Sequence, residues 1–391
     1  MRVLHLFKTY HPDSMGGIEQ TIFQLCEASR PWGVESSVLT LSRQPSAQPL
    51  QLANHQVHQA RLDLNLASTG LSREVFGRFR QLAEEVDIVH YHFPWPLMDL
   101  LHFHTQHRKP TVLSYHSDIV RQRLLLQLYR PLMHRFLDSI DQIVTASPNY
   151  LATSDVLKRY RAKTEVIPYG LDQSDYDAVD PERLAHWQGR FPDGFFLFVG
   201  VMRYYKGLHI LLEACKNTDY PVLIVGAGPM EKKLRRQAKR LKLNNVHFLG
   251  PLPDAEKNAL LQACRVLVFP SHLRSEAFGI SLLEGAMFGK SMISSEIGTG
   301  TTYINIHGET GLVVPPSDAM ALRGAMQRLW HDREQAQRMG EAAAQRYRTL
   351  FTAEQMGKSF SEIYRRLLCA PQQAPFSPWG NASPRASGTA G

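Results

Sequence analysis

Two carboxylates in one short segment, Glu276 and Glu284, are the residues of this sequence best placed for chemistry. The segment 275–285 follows an apolar run, Val266–Pro270, and is predicted to open a helix. The two carboxylates would then lie about 80° apart around the helix axis and about 12 Å apart along it. The amides and the positive end of such a helix bind phosphate. A diphosphate would therefore lie against the intervening residues, which are Ala277, Phe278, Gly279, Ile280 and Ser281. An ordinary amphipathic helix with two surface glutamates is the alternative.

Three other groups of residues could take part in the same chemistry. Gly16-Gly17 follows the first predicted strand, His116 ends another strand, and Arg203 and Lys206 lie in a loop after a third. Each has an ordinary explanation, because glycine pairs suit many tight turns and single histidines or loop cations are common. Their occurrence in order, each at a predicted strand carboxyl end, favours a ligand site, since open parallel sheets bind ligands at that edge.

Short β-branched runs alternate with amphipathic helical stretches along most of the chain, as in parallel sheets with crossover helices. The alternation occurs twice, interrupted by a stretch rich in Asp, Gln and Pro. We therefore predict an α/β protein with two Rossmann-like domains facing across a cleft. The predicted divisions are a first domain (1–171), a linker (172–194), a second domain (195–351), a final helix (352–369) and a disordered tail (370–391). The tail is rich in Pro, Ser, Gly and Ala and cannot offset its ordering entropy.

Bulk composition limits the class of protein. The chain has 391 residues, 43% of them apolar and 20% charged, as expected of a soluble globular enzyme with two domains. No apolar run approaches the ~18 residues of a membrane span, and the four scattered cysteines are typical of a reducing cytoplasm. The net charge of +8 could serve nucleic acid, an anionic membrane or a phosphorylated substrate. Because Lys and Arg are spread out and no nucleic-acid motif accompanies them, we expect no nucleic-acid partner.

Six histidines between residues 90 and 116 raise the question of a bound metal. Two His-x-His pairs, with Asp99 and Asp118 nearby, are loosely compatible with ligation. However, His90 and His92 alternate on a strand that is predicted to be buried, and no ordered ligand set emerges. We therefore expect no metal site.

Glu276 and Glu284, spaced as Glu-x7-Glu with Phe278-Gly279 between them, resemble the signature of glycosyltransferase family 4. The resemblance covers nearly all of residues 1–368. It implies the GT-B fold, with a nucleotide-sugar-binding second domain, an acceptor-binding first domain and a last helix that returns to the first domain.

The other landmarks of the family occur in order. Gly16-Gly17 resembles the glycine loop that touches the donor phosphate and the acceptor, and His116 matches the active-site histidine. Arg203 and Lys206 match the basic pair that binds the diphosphate, although their spacing is shorter than is usual in the family.

Longer segments resemble bacterial O-antigen mannosyltransferases; they are residues 7–13, 91–94, 203–209, 270–276 and 296–301. This resemblance implies a GDP-mannose or GDP-D-rhamnose donor and a saccharide acceptor carried on polyprenyl diphosphate, in lipopolysaccharide O-antigen biosynthesis. Such an acceptor is met at the cytoplasmic leaflet. We therefore expect a cytoplasmic protein attached peripherally to the anionic inner face of the membrane. The stretch 119–137, which mixes Leu, aromatics and Arg, is the predicted contact, and an ordinary crossover helix is the alternative.

The family resemblance implies a retaining reaction without a cofactor or a metal ion. Arg203, Lys206 and the helix amides would stabilise the departing diphosphate. Glu276 would hold sugar hydroxyls, Glu284 the ribose, and His116 the hexose or its developing charge. Other functions stay open: a family transferase using another nucleotide sugar, a nucleotide-sugar 2-epimerase, or an inactive scaffold of a polysaccharide synthase complex.

Overall fold

The computed structural model describes residues 1–66, 69–119, 123–176 and 178–370, so the tail predicted over 370–391 lies outside the described residues beyond Ala370. Two large sheets, both mainly parallel, carry this part of the chain. Their central strands are buried along their whole length, as in Phe196–Val199 and Val222–Val225. Strands covered by helices on both faces are continuous apolar runs, which is why the sequence revealed them.

The first sheet belongs to the N-terminal domain. Its strands are β1 (Arg2–Leu6), β2 (Glu35–Ser42), β3 (Leu50–Leu52), β4 (His55–Arg61), β7 (Ile88–Phe93), β8 (Thr111–Tyr115), β9 (Gln142–Thr145) and β10 (Thr164–Val166). The two intervening strands, β5 (Leu64–Leu66) and β6 (Thr69–Leu71), form a separate two-stranded sheet. The strands of the first sheet lie in the order β10-β9-β8-β7-β1-β2-β4-β3, and β3 is antiparallel to β4. β3 to β6 were not predicted, because they are short or half exposed.

The helices of this domain are α1 (Gly17–Ser29), α2 (Glu74–Glu85), α3 (Pro96–Thr105), α4 (Arg123–Ser139), α5 (Pro148–Thr153) and α6 (Asp155–Arg159). α4 occupies most of the stretch 119–137 and contains Pro131, while residues 120–122 lie outside the described ranges. Leu125 and Leu128 on α4 are exposed to 53% and 82%. Within the described residues, no helix combines the length and apolarity needed to cross a bilayer.

The second sheet has strands β11 (Phe196–Val199), β12 (Val222–Val225), β13 (Val246–Gly250), β14 (Val266–Phe269), β15 (Ser291–Ser295) and β16 (Gly311–Val314). They lie in the order β13-β12-β11-β14-β15-β16, and every pairing is parallel. This is the strand order of a doubly wound dinucleotide-binding fold. The helices from here to the end of the description are α7 (Pro181–Arg190), α8 (Leu208–Ala214), α9 (Glu231–Arg240), α10 (Asp254–Ala263), α11 (Ile280–Met287), α12 (Thr301–Ile304), α13 (Ala319–His331), α14 (Arg333–Leu350) and α15 (Ala353–Cys369).

The segment 172–194, predicted as a linker, contains the unpredicted helix α7. Its first turn is capped by Asp180, whose side chain accepts a hydrogen bond from the Glu182 amide. Trp187 is buried against α10, and its indole N–H donates to Glu256 at 3.0 Å. Few apolar residues are needed for this packing, so the composition of the segment did not reveal the helix.

Helix α15 leaves the second domain and packs on the first. Gly357 lies against α1, where an added Cβ would be 2.1 Å from the carbonyl oxygen of Ala28. Farther along, the Tyr364 hydroxyl lies 2.7 Å from Nδ1 of His90 in the first sheet. The predicted return of the last helix to the first domain is therefore confirmed.

Replacing Gly357 with Ala should destabilise the protein, because the added methyl group would force the backbones of α15 and α1 apart. Overpacking of this kind costs about 1–3 kcal/mol in the free energy of unfolding, which urea denaturation measures. The matched control is Gly324→Ala in α13, where an added Cβ meets nothing within 4 Å. That variant should gain up to about 1 kcal/mol from helix propensity. Equal stabilities of the two variants would contradict the close contact.

Candidate active site at the interdomain cleft

The strand order of the second sheet marks where a ligand can bind. β11 and β14 are neighbours, and the chain continues from β11 toward one edge of the sheet and from β14 toward the other. Such a switch point opens a crevice at the carboxyl ends of the two strands. Arg203 and Lys206 follow β11, and Glu276 follows β14. The fold therefore brings these three predicted site residues to one crevice from both sides.

Lys206 and Glu276 form an ion pair in this crevice. Nζ of Lys206 lies 2.6 Å from Oε2 of Glu276, which also accepts a hydrogen bond from the Ser271 hydroxyl at 3.1 Å. The loops that carry the pair touch at Gly207, where an added Cβ would be 1.9 Å from the Pro270 carbonyl oxygen. Gly207 also has φ of +72°, so both its conformation and its surroundings require glycine.

The helix after Glu276 begins later than predicted. α11 starts at Ile280, and its N-cap Gly279 has φ of +106°. Because this φ lies outside the helical region, Glu276 is in the preceding loop, and the predicted angle of about 80° between two carboxylates on one helix is wrong. The Leu282 and Leu283 amides already donate to the Gly279 carbonyl. These two amides are therefore not free to bind a phosphate. The phosphate cradle predicted over 277–281 depends on the backbone amides that precede Leu282.

Neighbouring strands and loops hold the residues of this cradle. The Ser281 hydroxyl donates to the Val199 carbonyl at the end of β11, at 2.9 Å. The Gly300 amide donates to the Ala277 carbonyl at 2.8 Å. Phe278 is buried, so it serves as an apolar anchor for the loop rather than as a polar contact.

Glu284 lies in α11 and is buried. Its Oε1 accepts from Lys257 Nζ at 3.0 Å and from the Tyr176 hydroxyl at 3.1 Å. Burial opposes the charge of Lys257, but the charges of Glu284 and Asp254 hold the pKa of Lys257 above its ordinary value. Sequence reasoning missed Lys257 and Tyr176, because neither belongs to a motif and only the packing of α10 and the 172–176 segment brings them here.

The glycine pair of the first domain faces this helix. Gly16 is the N-cap of α1, and a Cβ added to it would be 2.5 Å from Oε2 of Glu19. A Cβ on Gly17 would be 3.6 Å from Cγ1 of Ile280, at the start of α11. The predicted glycine loop and the predicted phosphate cradle therefore meet across the cleft.

A cation from the first domain, Lys8, adds to the positive charge of the site. Burial is the main cause that lowers the pKa of Lys8; Glu19 counteracts it, and Arg203 lowers this pKa further. Lys8 and Arg203, which belong to different domains, are thus close enough to interact electrostatically. Lys8 lies two residues after the end of β1, so its place after a central strand was a signal that sequence reasoning could have used.

His116 lies at the end of β8, and both of its ring nitrogens are bonded within the protein. Nδ1 is 2.5 Å from the Tyr169 hydroxyl, and Nε2 is 2.9 Å from Nδ1 of His92. Burial lowers the pKa of His116 to about 3, so the ring is neutral near pH 7. A direct contact between this ring and a sugar would require one of these partners to leave.

Three buried histidines, His5, His90 and His92, place one ring nitrogen each within 4.8 Å of the others. His5 Nδ1 lies 3.0 Å from His92 Nε2. Both nitrogens of His90 bond to hydroxyls, those of Tyr364 and Ser114. The group could approach a metal only by giving up these hydrogen bonds, which supply the partners that buried imidazoles need.

Arg274 and Asp118 tie the two halves of the site together. Their Nη2 and Oδ2 atoms lie 3.2 Å apart, and Arg274 also donates to Thr153 of the first domain at 2.9 Å. Asp118 comes two residues after His116, and Arg274 two residues before Glu276. This ion pair therefore links the loops that carry the predicted catalytic residues of both domains.

Comparison with known proteins places this architecture in a family. Residues 15–175 match the model of Glycosyltransferase Family 4, and residues 185–346 match that of Glycosyl transferases group 1. The D-rhamnosyltransferase WbpZ of Pseudomonas aeruginosa is 64% identical over 90% of this chain and 93% of that protein. O-antigen chain mannosyltransferase C of Escherichia coli is 50% identical over 90% of this chain and 95% of that protein.

Solved structures support the same conclusion for the fold. Sucrose-phosphate synthase from Thermosynechococcus elongatus superposes with a TM-score of 0.78 at 22% identity, over 95% of this chain and 100% of that one. The resemblance stated from the Glu-x7-Glu segment is thus confirmed over nearly the whole described chain. This chain belongs to glycosyltransferase family 4, and it is a hexosyltransferase with the GT-B fold.

Proposed function

We propose that this enzyme transfers mannose or D-rhamnose, with retention, from a GDP-sugar to a saccharide on polyprenyl diphosphate during lipopolysaccharide O-antigen biosynthesis. The observation that carries the proposal is the near full-length identity of 64% and 50% to a D-rhamnosyltransferase and an O-antigen mannosyltransferase. The joint placement of Lys206, Glu276 and Arg203 at the crevice adds independent support for a diphosphate donor.

The site is suited to stabilise a leaving diphosphate without a metal ion. Cleavage of the anomeric bond places negative charge on the diphosphate, and preorganised cations and amides stabilise that charge in the transition state. Arg203, Lys206 and the amides of 277–281 supply such groups, in place of the divalent ion that acts as a Lewis acid elsewhere.

Retention follows from attack on the same face that the diphosphate leaves. The acceptor hydroxyl would form the new bond to the anomeric carbon while the bond to the diphosphate breaks, and a β-phosphate oxygen would take the hydroxyl proton. Glu276 would then position sugar hydroxyls rather than form a covalent intermediate. Glu284 would bind the ribose with the oxygen that Lys257 and Tyr176 leave available.

The decisive experiment measures turnover of GDP-mannose, GDP-D-rhamnose and UDP-sugars with and without a polyprenyl-diphosphate-linked acceptor. Acceptor-dependent release of GDP supports the proposal. Conversion of the donor without an acceptor would indicate a nucleotide-sugar 2-epimerase, and absence of turnover with every donor would indicate a scaffold. Release of UDP would indicate a family transferase with another donor.

The enzyme would meet its acceptor at the inner face of the cytoplasmic membrane as a peripheral protein. α4 supports this location, because Leu125 and Leu128 face solvent and Arg130 and Arg135 are exposed on the same helix. Apolar side chains beside arginines are the composition of a helix that lies at an anionic interface, where each arginine adds about 1 kcal/mol.

Transfer should survive excess EDTA, because protein cations and amides rather than a divalent ion neutralise the diphosphate. The assay is GDP release from the identified donor after extended chelation, with a magnesium-dependent transferase as the control in the same buffer. Complete loss of turnover that magnesium or manganese restores would refute this prediction.

Arg203→Ala should lower kcat by roughly 10²-fold, as for removal of one preorganised donor in an active site. The melting temperature should be unchanged, since an exposed loop cation contributes little to stability. Arg236→Ala on α9, an exposed arginine whose Nε contacts only a carbonyl of its own helix among the hydrogen bonds described, is the matched control and should retain turnover. Near wild-type kcat in Arg203→Ala would remove Arg203 from the site.

The double variant Leu128→Glu/Arg130→Glu should release the protein from vesicles rich in phosphatidylglycerol while sparing turnover of a short soluble acceptor. Co-sedimentation measures the binding. Met320→Glu changes a residue that is 68% exposed on the second domain and should leave vesicle binding intact. If the double variant co-sediments as the wild type does, α4 is not the contact.

A further inference from the structure

A chain of hydrogen bonds joins three buried histidines to Tyr169 behind the cleft. The Tyr169 hydroxyl lies 2.5 Å from His116 Nδ1, and His116 Nε2 lies 2.9 Å from His92 Nδ1. His92 Nε2 lies 3.0 Å from His5 Nδ1. Burial lowers the pKa of His5 and His116 to about 3 and that of His92 well below its ordinary value. All three rings are therefore neutral near pH 7.

Neutrality limits the chain to two directions. A neutral imidazole has one N–H donor and one acceptor nitrogen, so every bond in the chain must point the same way. The last atom, His5 Nε2, is buried and has no hydrogen-bond partner among the described residues. If the bonds point toward His5, this atom carries an N–H without an acceptor; if they point toward Tyr169, it carries only a lone pair.

The two directions differ in where one unpaired proton lies: on His5, where no acceptor is described, or on the Tyr169 hydroxyl, where a bound ligand can accept it. The second direction is therefore the favourable one when the donor is bound, because an unpaired buried N–H is costly. His5 then donates to His92, and His92 donates to His116. His116 Nδ1–H in turn donates to the Tyr169 oxygen. This direction uses both nitrogens of His116 and leaves the hydroxyl proton of Tyr169 for an acceptor outside the chain.

The Tyr169 ring stands beside the donor loop. Its centroid is 4.7 Å from that of Phe278, which lies between Glu276 and the N-cap of α11. The next residue, Gly170, packs closely against Thr352, because an added Cβ would be 2.2 Å from the Thr352 carbonyl oxygen. This contact holds the backbone beside Tyr169 in place. Tyr169 thus contacts His116 of the first domain through its hydroxyl and Phe278 of the phosphate cradle through its ring.

We propose that Tyr169 is the residue that hydrogen-bonds the donor, through its hydroxyl proton and an oxygen of the sugar or of its diphosphate. His116 is then a positioning residue that acts through Tyr169. The inference rests on the proposed function for the identity of the donor, which supplies the acceptor for the hydroxyl proton.

Tyr169→Phe keeps the ring on Phe278 and removes only the hydroxyl. Its kcat should fall roughly 10²-fold, as for loss of one preorganised donor, with little change in the KM of the donor, which marks an interaction made in the transition state. His116→Gln should show a similar loss. The double variant should be no worse than either single variant, because the two residues act in series.

Tyr364→Phe is the matched control. It removes another buried hydroxyl, the one bonded to His90, a histidine outside the chain, and should retain wild-type kcat. Wild-type kcat in Tyr169→Phe alongside a large loss in His116→Gln would show that His116 contacts the donor itself and would overturn the proposal. Additive losses in the double variant would also overturn it.

Nitrogen NMR of histidine-labelled protein tests the direction without any turnover. The proton of His116 should be on Nδ1 in the wild type saturated with the GDP-sugar in the absence of acceptor, with the signal assigned by its absence in His116→Gln. A proton on Nε2 would reverse the chain and refute the proposal, even if Tyr169→Phe proved too unstable to assay. Failure of the wild type to use a GDP-sugar would instead count against the proposed function alone.

Discussion

The crossing of α15 onto the first domain is the contact on which the cleft depends. Gly357 lets this helix approach the Ala28 carbonyl more closely than any side chain would allow. Gly170 of the first domain lies equally close to Thr352, the residue just before α15. Ligand sites in parallel sheets lie at the strand carboxyl ends, so a site shared by two sheets requires those ends to face each other in a fixed register. The crossing supplies that register, because it ties the last loop of the first domain to the last helix of the second.

Opposite charges already neutralise one another in the crevice before a donor arrives. Lys206 is paired with Glu276 and Lys257 with Glu284, all of them largely shielded from water. Breaking a shielded pair leaves an uncompensated charge and is strongly unfavourable. On the proposed function, the diphosphate becomes the new partner of Lys206 when Glu276 turns to the sugar hydroxyls. A ligand without that negative charge would leave Lys206 unpaired, so the pairing itself selects for a diphosphate.

Whereas the returning helix followed from the resemblance to the family, both sheets could be predicted from sequence, because buried parallel strands are continuous apolar runs. The same logic located Arg203 and Glu276, since the residues after such strands must face the ligand edge. Tyr169 and Lys257 could not be found in this way, because only the packing of segments far apart in the sequence brings them to His116 and Glu284. The start of α11 was also missed: a single positive φ at Gly279 decides it, and the residue types around it suit a helix equally well.

The distribution of charge across the cleft matches the charge separation of sugar transfer. On the proposed function, Arg203 and Lys206 stand where negative charge develops on the diphosphate, and preorganised cations are most effective there. The histidine side carries no charge, because burial lowers the pKa of His116 to about 3. An imidazolium there would repel the positive charge that develops on the sugar ring. Desolvation rather than a neighbouring carboxylate sets this state, so no counter-ion is needed. On the proposed function, the hydrogen-bonded histidines His5, His92 and His116 then form a neutral wall behind the reacting sugar.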